Sequence, residues 1–118
     1  MSIHRSIEET ERHAHPVLPD AGEYRVARCR IDDDFTVVGK TTLQLTLVRE
    51  GAGGERVLAF GNVTYKEPLF IALRDATGLY VMDTGHLGWA SNQRIEVGDE
   101  DDGSAMFWAE SVEDITEE

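Results

Sequence analysis

The chain has 118 residues, with 11 Lys or Arg against 23 Asp or Glu, for a net charge of −12. At roughly 100–200 residues per domain, that length excludes a multidomain protein. A hydrophobic fraction of 41% with 29% charged residues excludes a disordered one. The charge argues against DNA or RNA as a partner, because such binding rests on neutralising phosphates with Lys and Arg.

The single cysteine, Cys29, permits no internal disulfide, which favours a reducing, intracellular setting. The first residues lead into Glu8, Glu9 and Glu11, unlike the basic and then apolar pattern of a secretory signal. The longest nearly apolar run, 68–73, is far short of the roughly 18 residues of a membrane helix. A cytoplasmic protein without a membrane partner is expected. Lys40 and Lys66 are the only lysines, against nine arginines, a balance that suits either high salt or a GC-rich genome.

Ser6 and Glu9 have the spacing of a capping box, which predicts a short N-terminal helix over 7–14, ended by Pro16 and Pro19. From Tyr24 the hydrophobic period becomes two. Strands are predicted at 24–31, 35–38 and 42–47; in the last, leucines alternate with Thr and Gln. The glycines of 51–54 turn the chain into a returning strand over 56–65, with Gly61 and Asn62 marking a bulge. Leu69–Leu73 is apolar on both faces and is predicted to be a central strand. A turn over 75–78 leads to a strand at 79–84, an irregular loop over 85–91 and a strand at 93–97. An acidic turn over 98–103 and a last strand at 105–109 follow.

The resulting class is all-β, an antiparallel sandwich or small barrel of about eight strands with a short N-terminal helix. Residues 1–22 are expected as a lead-in, 23–110 as one β domain and 111–118 as an acidic tail. The predicted core is Leu43, Leu45, Leu47, Leu58, Phe60, Leu69, Ile71, Leu73, Val81 and Phe107.

Asp83-Thr84-Gly85, after the apolar lead-in Tyr80-Val81-Met82, resembles the active-site turn of aspartic proteases, and of the homodimeric retropepsins in particular. The resemblance implies an aspartic-type hydrolase in which two copies bring two Asp83 carboxyl groups together to share a proton and activate water. His86 stands where that family usually has Ala or Ser. The competing reading is structural: Asp and Gly are favoured wherever a strand ends in a turn.

His4, His13 and His15 read as solvated histidines, and Cys29 as a small buried hydrophobe. Asp32–Asp34 and Asp99–Asp102 lack the alternating spacing of a calcium loop. Gly51–Gly54 lacks the Lys-Ser or Lys-Thr of a phosphate loop. No metal or cofactor is expected.

Fifteen of the 23 acids fall in four clusters: Glu8, Glu9, Glu11; Asp32–Asp34; Asp99–Asp102; and Glu110, Glu113, Asp114, Glu117, Glu118. A dense negative surface speeds association with a basic partner. The expected function is therefore non-catalytic: a small acidic β domain that binds a cationic protein, such as a nuclease or toxin held in check. Its expected contact residues are Asp99, Glu100, Asp101 and Asp102, on a freely projecting turn, together with Trp89 in its glycine-flanked loop. The alternatives are a small-ligand-binding β barrel at the Trp89 loop and the Asp83 hydrolase. Homo-oligomers are compatible with each.

Overall fold

The computed structural model describes residues 13–33, 36, 41–49, 51, 54–88, 90–101 and 103–116, with only the backbone of His86. Among them are nine strands: β1 (His13–Ala14), β2 (Tyr24–Asp33), β3 (Thr41–Arg49), β4 (Glu55–Gly61), β5 (Thr64–Tyr65), β6 (Leu79–Asp83), β7 (Ile95–Asp99), β8 (Ser104–Ala109) and β9 (Ser111–Asp114). They form a five-stranded sheet ordered β1-β6-β7-β8-β5 and a four-stranded sheet ordered β2-β3-β4-β9. Every pairing is antiparallel.

The period-two pattern has the expected effect in β3. Leu43, Leu45 and Leu47 are fully buried, while Thr42, Gln44 and Thr46 take the other face. Leu58 and Phe60 of β4 join them, and Val81, Val97 and Phe107 answer from the first sheet. The rings of Phe60 and Phe107 meet edge to face at a centroid distance of 5.0 Å. One apolar core thus joins the inner faces of both sheets, the arrangement that lets each sheet bury one face.

Leu69–Leu73 is not a strand. Leu69–Asp75 forms the helix α1, the one α-helix among the described residues. Pro68 stands just before its first residue, where a missing N–H costs nothing. Leu69 and Leu73, four apart and on one helix face, enter the core, while Phe70 and Ile71 are 60% and 51% exposed. Ile71 is therefore not a core residue; the other nine predicted core residues are buried. A short apolar run fits a buried strand and a helix equally well by periodicity. α1 packs against β2 and β8.

Other expectations change at their edges. The predicted N-terminal helix lies outside the described residues over 7–12, and its last two residues, His13 and Ala14, are strand β1, opposite Asp83 and Met82. The predicted strand at 35–38 also lies outside them, apart from Thr36 in a turn. The strand predicted at 56–65 breaks in two. β4 ends at Gly61, where a Cβ would stand 2.6 Å from Ser111 Oγ. Asn62 then takes a positive φ of 51°, and β5 joins the other sheet. The expected acidic tail contains β9, whose Val112 packs on the core while Glu113 and Asp114 stay exposed. No described helix is long and apolar enough to cross a membrane.

Candidate functional site

The acidic turn lies between β7 and β8, and it is fastened down. Asp99 Oδ1 accepts the amides of Gly78, at 3.1 Å, and Asp101, at 3.0 Å. Asp101 Oδ2 accepts the Thr77 hydroxyl at 2.5 Å. The Glu100 amide donates to Gly78 O at 2.8 Å. Two of the four predicted contact carboxyls are thus committed to holding one turn against another. This corrects the expectation of a freely projecting cluster: short acidic side chains serve turn amides well. Glu100 is exposed, and its carboxyl accepts no hydrogen bond among the described residues. Asp102 and Trp89 lie outside the described residues.

The segment fastened by that turn, Thr77–Gly78, follows α1 after a single residue, Ala76. The exposed Phe70 and Ile71 are on that helix. Five residues of helix at about 1.5 Å each separate Phe70 from the helix end by about 7.5 Å. The exposed apolar pair is thus connected through one short helix to the segment that the acidic turn fastens, a link that reading 69–73 as a strand hides.

Asp83 ends β6, opposite His13 and Ile95. Its Oδ1 accepts the Gly85 amide at 3.0 Å, as expected of a turn residue. Thr84 is fully buried; its amide donates to Arg94 O at 2.7 Å and its hydroxyl to Gln93 O at 2.6 Å. These bonds close the base of the loop that carries Trp89. Beside them His15 is half-buried, unlike the solvated histidine expected. Its Nδ1 accepts the Val17 amide at 3.0 Å. Burial pushes its pKa down, partly opposed by the Asp83 carboxylate. Among the described residues no three His, Cys, Asp or Glu side chains converge to hold a metal.

Two charge features lie outside the acidic turn: a buried glutamate that escaped the sequence reading, and a cluster of Arg25, Arg28 and Arg30 that the sequence leaves open. Glu96 is 3% exposed although it lies on the outer face of the five-stranded sheet, on the side opposite the core residues Ile95 and Val97. Its carboxyl accepts the Tyr80 hydroxyl at 2.7 Å and the Trp108 indole N–H at 3.2 Å. Lys66 Nζ stands 5.2 Å from the Trp108 ring centre. The only signal was a Glu between two core-facing residues.

The second feature is a row of arginines on β2. Arg25, Arg28 and Arg30 pair with Val48, Thr46 and Gln44, which face away from the core. A bulge at Ala27 keeps Arg28 on the side of Arg25. Arg49, Arg56 and Arg74 lie within 4 Å of Asp20, Asp114 and Asp75. The three on β2 have no such partner among the described residues.

Comparison with protein-family models, with curated proteins and with solved structures finds no match to this chain.

Proposed function

We propose that this chain is a non-catalytic binding domain that engages a basic protein, such as a nuclease or toxin it holds in check, through the surface formed by α1 and the acidic turn. The reading rests on the exposure of Phe70 and Ile71, at 60% and 51%, on a helix whose end is fastened to that turn. Two adjacent large apolar side chains left in water mark an interaction surface better than scattered ones do, and interface energy concentrates in such anchors. Glu100 supplies charge at the rim, where it acts on the rate of encounter. The net charge of −12 points to a cationic partner and away from nucleic acid. The architecture fits a sandwich better than a closed barrel, since among the described residues each sheet has two edge strands, β1 and β5 in one and β2 and β9 in the other. A reducing compartment such as the cytoplasm suits the lone Cys29.

The hydrolase alternative depends on a second copy supplying a second Asp83; the one Asp83 is engaged with its own turn. The test is a pull-down from source lysate at two salt concentrations, followed by binding rates on the purified captured protein. Phe70→Ser with Ile71→Ser should speed dissociation by about tenfold or more. Glu100→Gln should slow association at low salt only. A basic protein bound equally by all three forms would place the contact elsewhere and reject this surface. Peptide cleavage abolished by Asp83→Asn would reject the non-catalytic reading.

A further inference from the structure

At the end of the β6–β7 ladder away from the acidic turn lies a cleft of about 420 Å³, within the range of roughly 300–1,000 Å³ of small-molecule sites. His15, Asp83, Arg94 and Glu110 line it, with Gly85 and Ile95. Opposite charges share this space without closing on one another: among the described residues Arg94 forms no ion pair within 4 Å. The carboxyls are turned to other donors. Asp83 Oδ1 accepts the Gly85 amide at 3.0 Å, and Glu110 Oε1 accepts Asn62 Nδ2 at 3.5 Å. Each keeps a second oxygen with no hydrogen bond among the described residues.

The imidazole of His15 has a fixed role. Its Nδ1 lone pair is used by the Val17 amide, so the ring carries its proton at Nε2 and is a neutral donor. The wall is rigid, because buried Thr84 ties the loop base to Gln93 and Arg94. The cleft thus offers one guanidinium, two carboxylates and one neutral N–H, which sum to a charge of −1. A ligand that balances it carries one anionic group and two cationic ones.

We propose that this cleft binds a basic α-amino acid of the lysine or arginine class. Its carboxylate lies on Arg94, which suits two-pronged carboxylate recognition, and Nε2–H of His15 donates to the same group. The α-ammonium and the side-chain cation are shared between Asp83 and Glu110. This site is separate from the α1 surface and does not depend on it. Asp83↔Ile95 closes the ladder at the cleft, whereas Leu79↔Asp99 closes it at the acidic turn.

The experiment is a titration of the ¹⁵N-labelled protein, followed by the amide signals of Gly85, Arg94 and Ile95. L-lysine should shift them saturably, with a Kd on the order of 1 mM or tighter. Lysine amide, norleucine and Nα-acetyl-lysine each lack one of the three charges, and each should bind about tenfold more weakly or worse. In Arg94→Gln, an exposed position whose change leaves the fold intact, lysine and lysine amide should become equivalent. In Asp83→Asn, which keeps an acceptor for Gly85, and in Glu110→Gln, the advantage of lysine over norleucine should shrink. Shifts that fail to saturate by about 20 mM would overturn the proposal. So would lysine amide binding as well as lysine to the native protein, or Arg94→Gln preserving the difference between them. None of these results bears on the α1 surface.

Discussion

The Tyr80 hydroxyl donates to Oε2 of Glu96 at 2.7 Å, and the two side chains meet across a position that has none. Gly98 is the cross-strand partner of Tyr80, and a Cβ there would collide with the Tyr80 ring and stand 2.5 Å from Ser104 O. The phenol occupies the space a side chain would need. Tyr80→Phe should lower stability by about 1–3 kcal/mol, the cost of leaving a buried acceptor short of a donor. Gly98→Ala should cost more, because the ring and the β8 backbone must both move. Urea denaturation of the two variants gives the order.

Within the acidic turn, stability and charge separate. Asp99→Ala removes the acceptor of two amides and should cost about 1–2 kcal/mol. Glu100→Ala, at an exposed neighbour whose side chain has no hydrogen bond to lose among the described residues and whose amide bond to Gly78 O is kept, should fall within about 0.5 kcal/mol of the native protein. Equal melting temperatures for the two variants would contradict the hydrogen bonds described for Asp99.

The helical reading of 69–75 makes a sharp contrast between neighbours. Leu73→Ala should cost about 2–5 kcal/mol as a core truncation. Ile71→Ala should change stability by no more than about 0.5 kcal/mol. Were the segment a strand, Ile71 and Leu73 would share a face and be affected alike. Chemical denaturation decides between them.

Acid should weaken the fold at His15 before it reaches the carboxylates. The unfolded chain takes up this proton near the ordinary value of about 6.5, while burial holds the folded group lower. The unfolded state therefore binds more protons in between. Stability is fully present above the ordinary value and falls as the pH drops through the folded one. Protonation also displaces the Val17 amide from Nδ1. Melting temperatures measured between about pH 7.5 and 5.5 should decline, and His15→Gln should flatten that slope.

Cys29 should react slowly. Its thiol is half-buried on β2, and burial pushes its pKa up, which reduces the thiolate that attacks. A disulfide reagent at about pH 8 should label it much faster in urea than in buffer. Equal rates would show that the thiol is open to solvent in the folded state.

Most of the core could be read from the sequence because it depends on local alternation. Leu43, Leu45 and Leu47 declare their face by spacing alone, and Leu58 and Phe60 repeat it. The misread segment is the one where local pattern is ambiguous: six apolar residues at 68–73 satisfy both periods, and only packing against β2 and β8 selects the helix. The site features depend on pairs distant in the chain. Asp101 meets Thr77 over 24 residues and Glu96 meets Tyr80 over 16, distances at which composition and spacing carry no signal. The Asp-Thr-Gly turn was visible, and it became part of a cleft only once His15, Arg94 and Glu110 folded beside it.

The extra residue in β2 has a consequence for how this chain behaves among copies of itself. β2 is ten residues long and, among the described residues, has a neighbour in its sheet on one side only, the form of edge that recruits foreign strands. Ala27 is unmatched in β3, so the edge is kinked and overtwisted midway, with like charges on either side of the kink. A chain shortened by that one alanine would keep Val26 and Cys29 facing inward and the arginines outward. It would present a longer straight template, open to fibre-like growth that the bulge now interrupts.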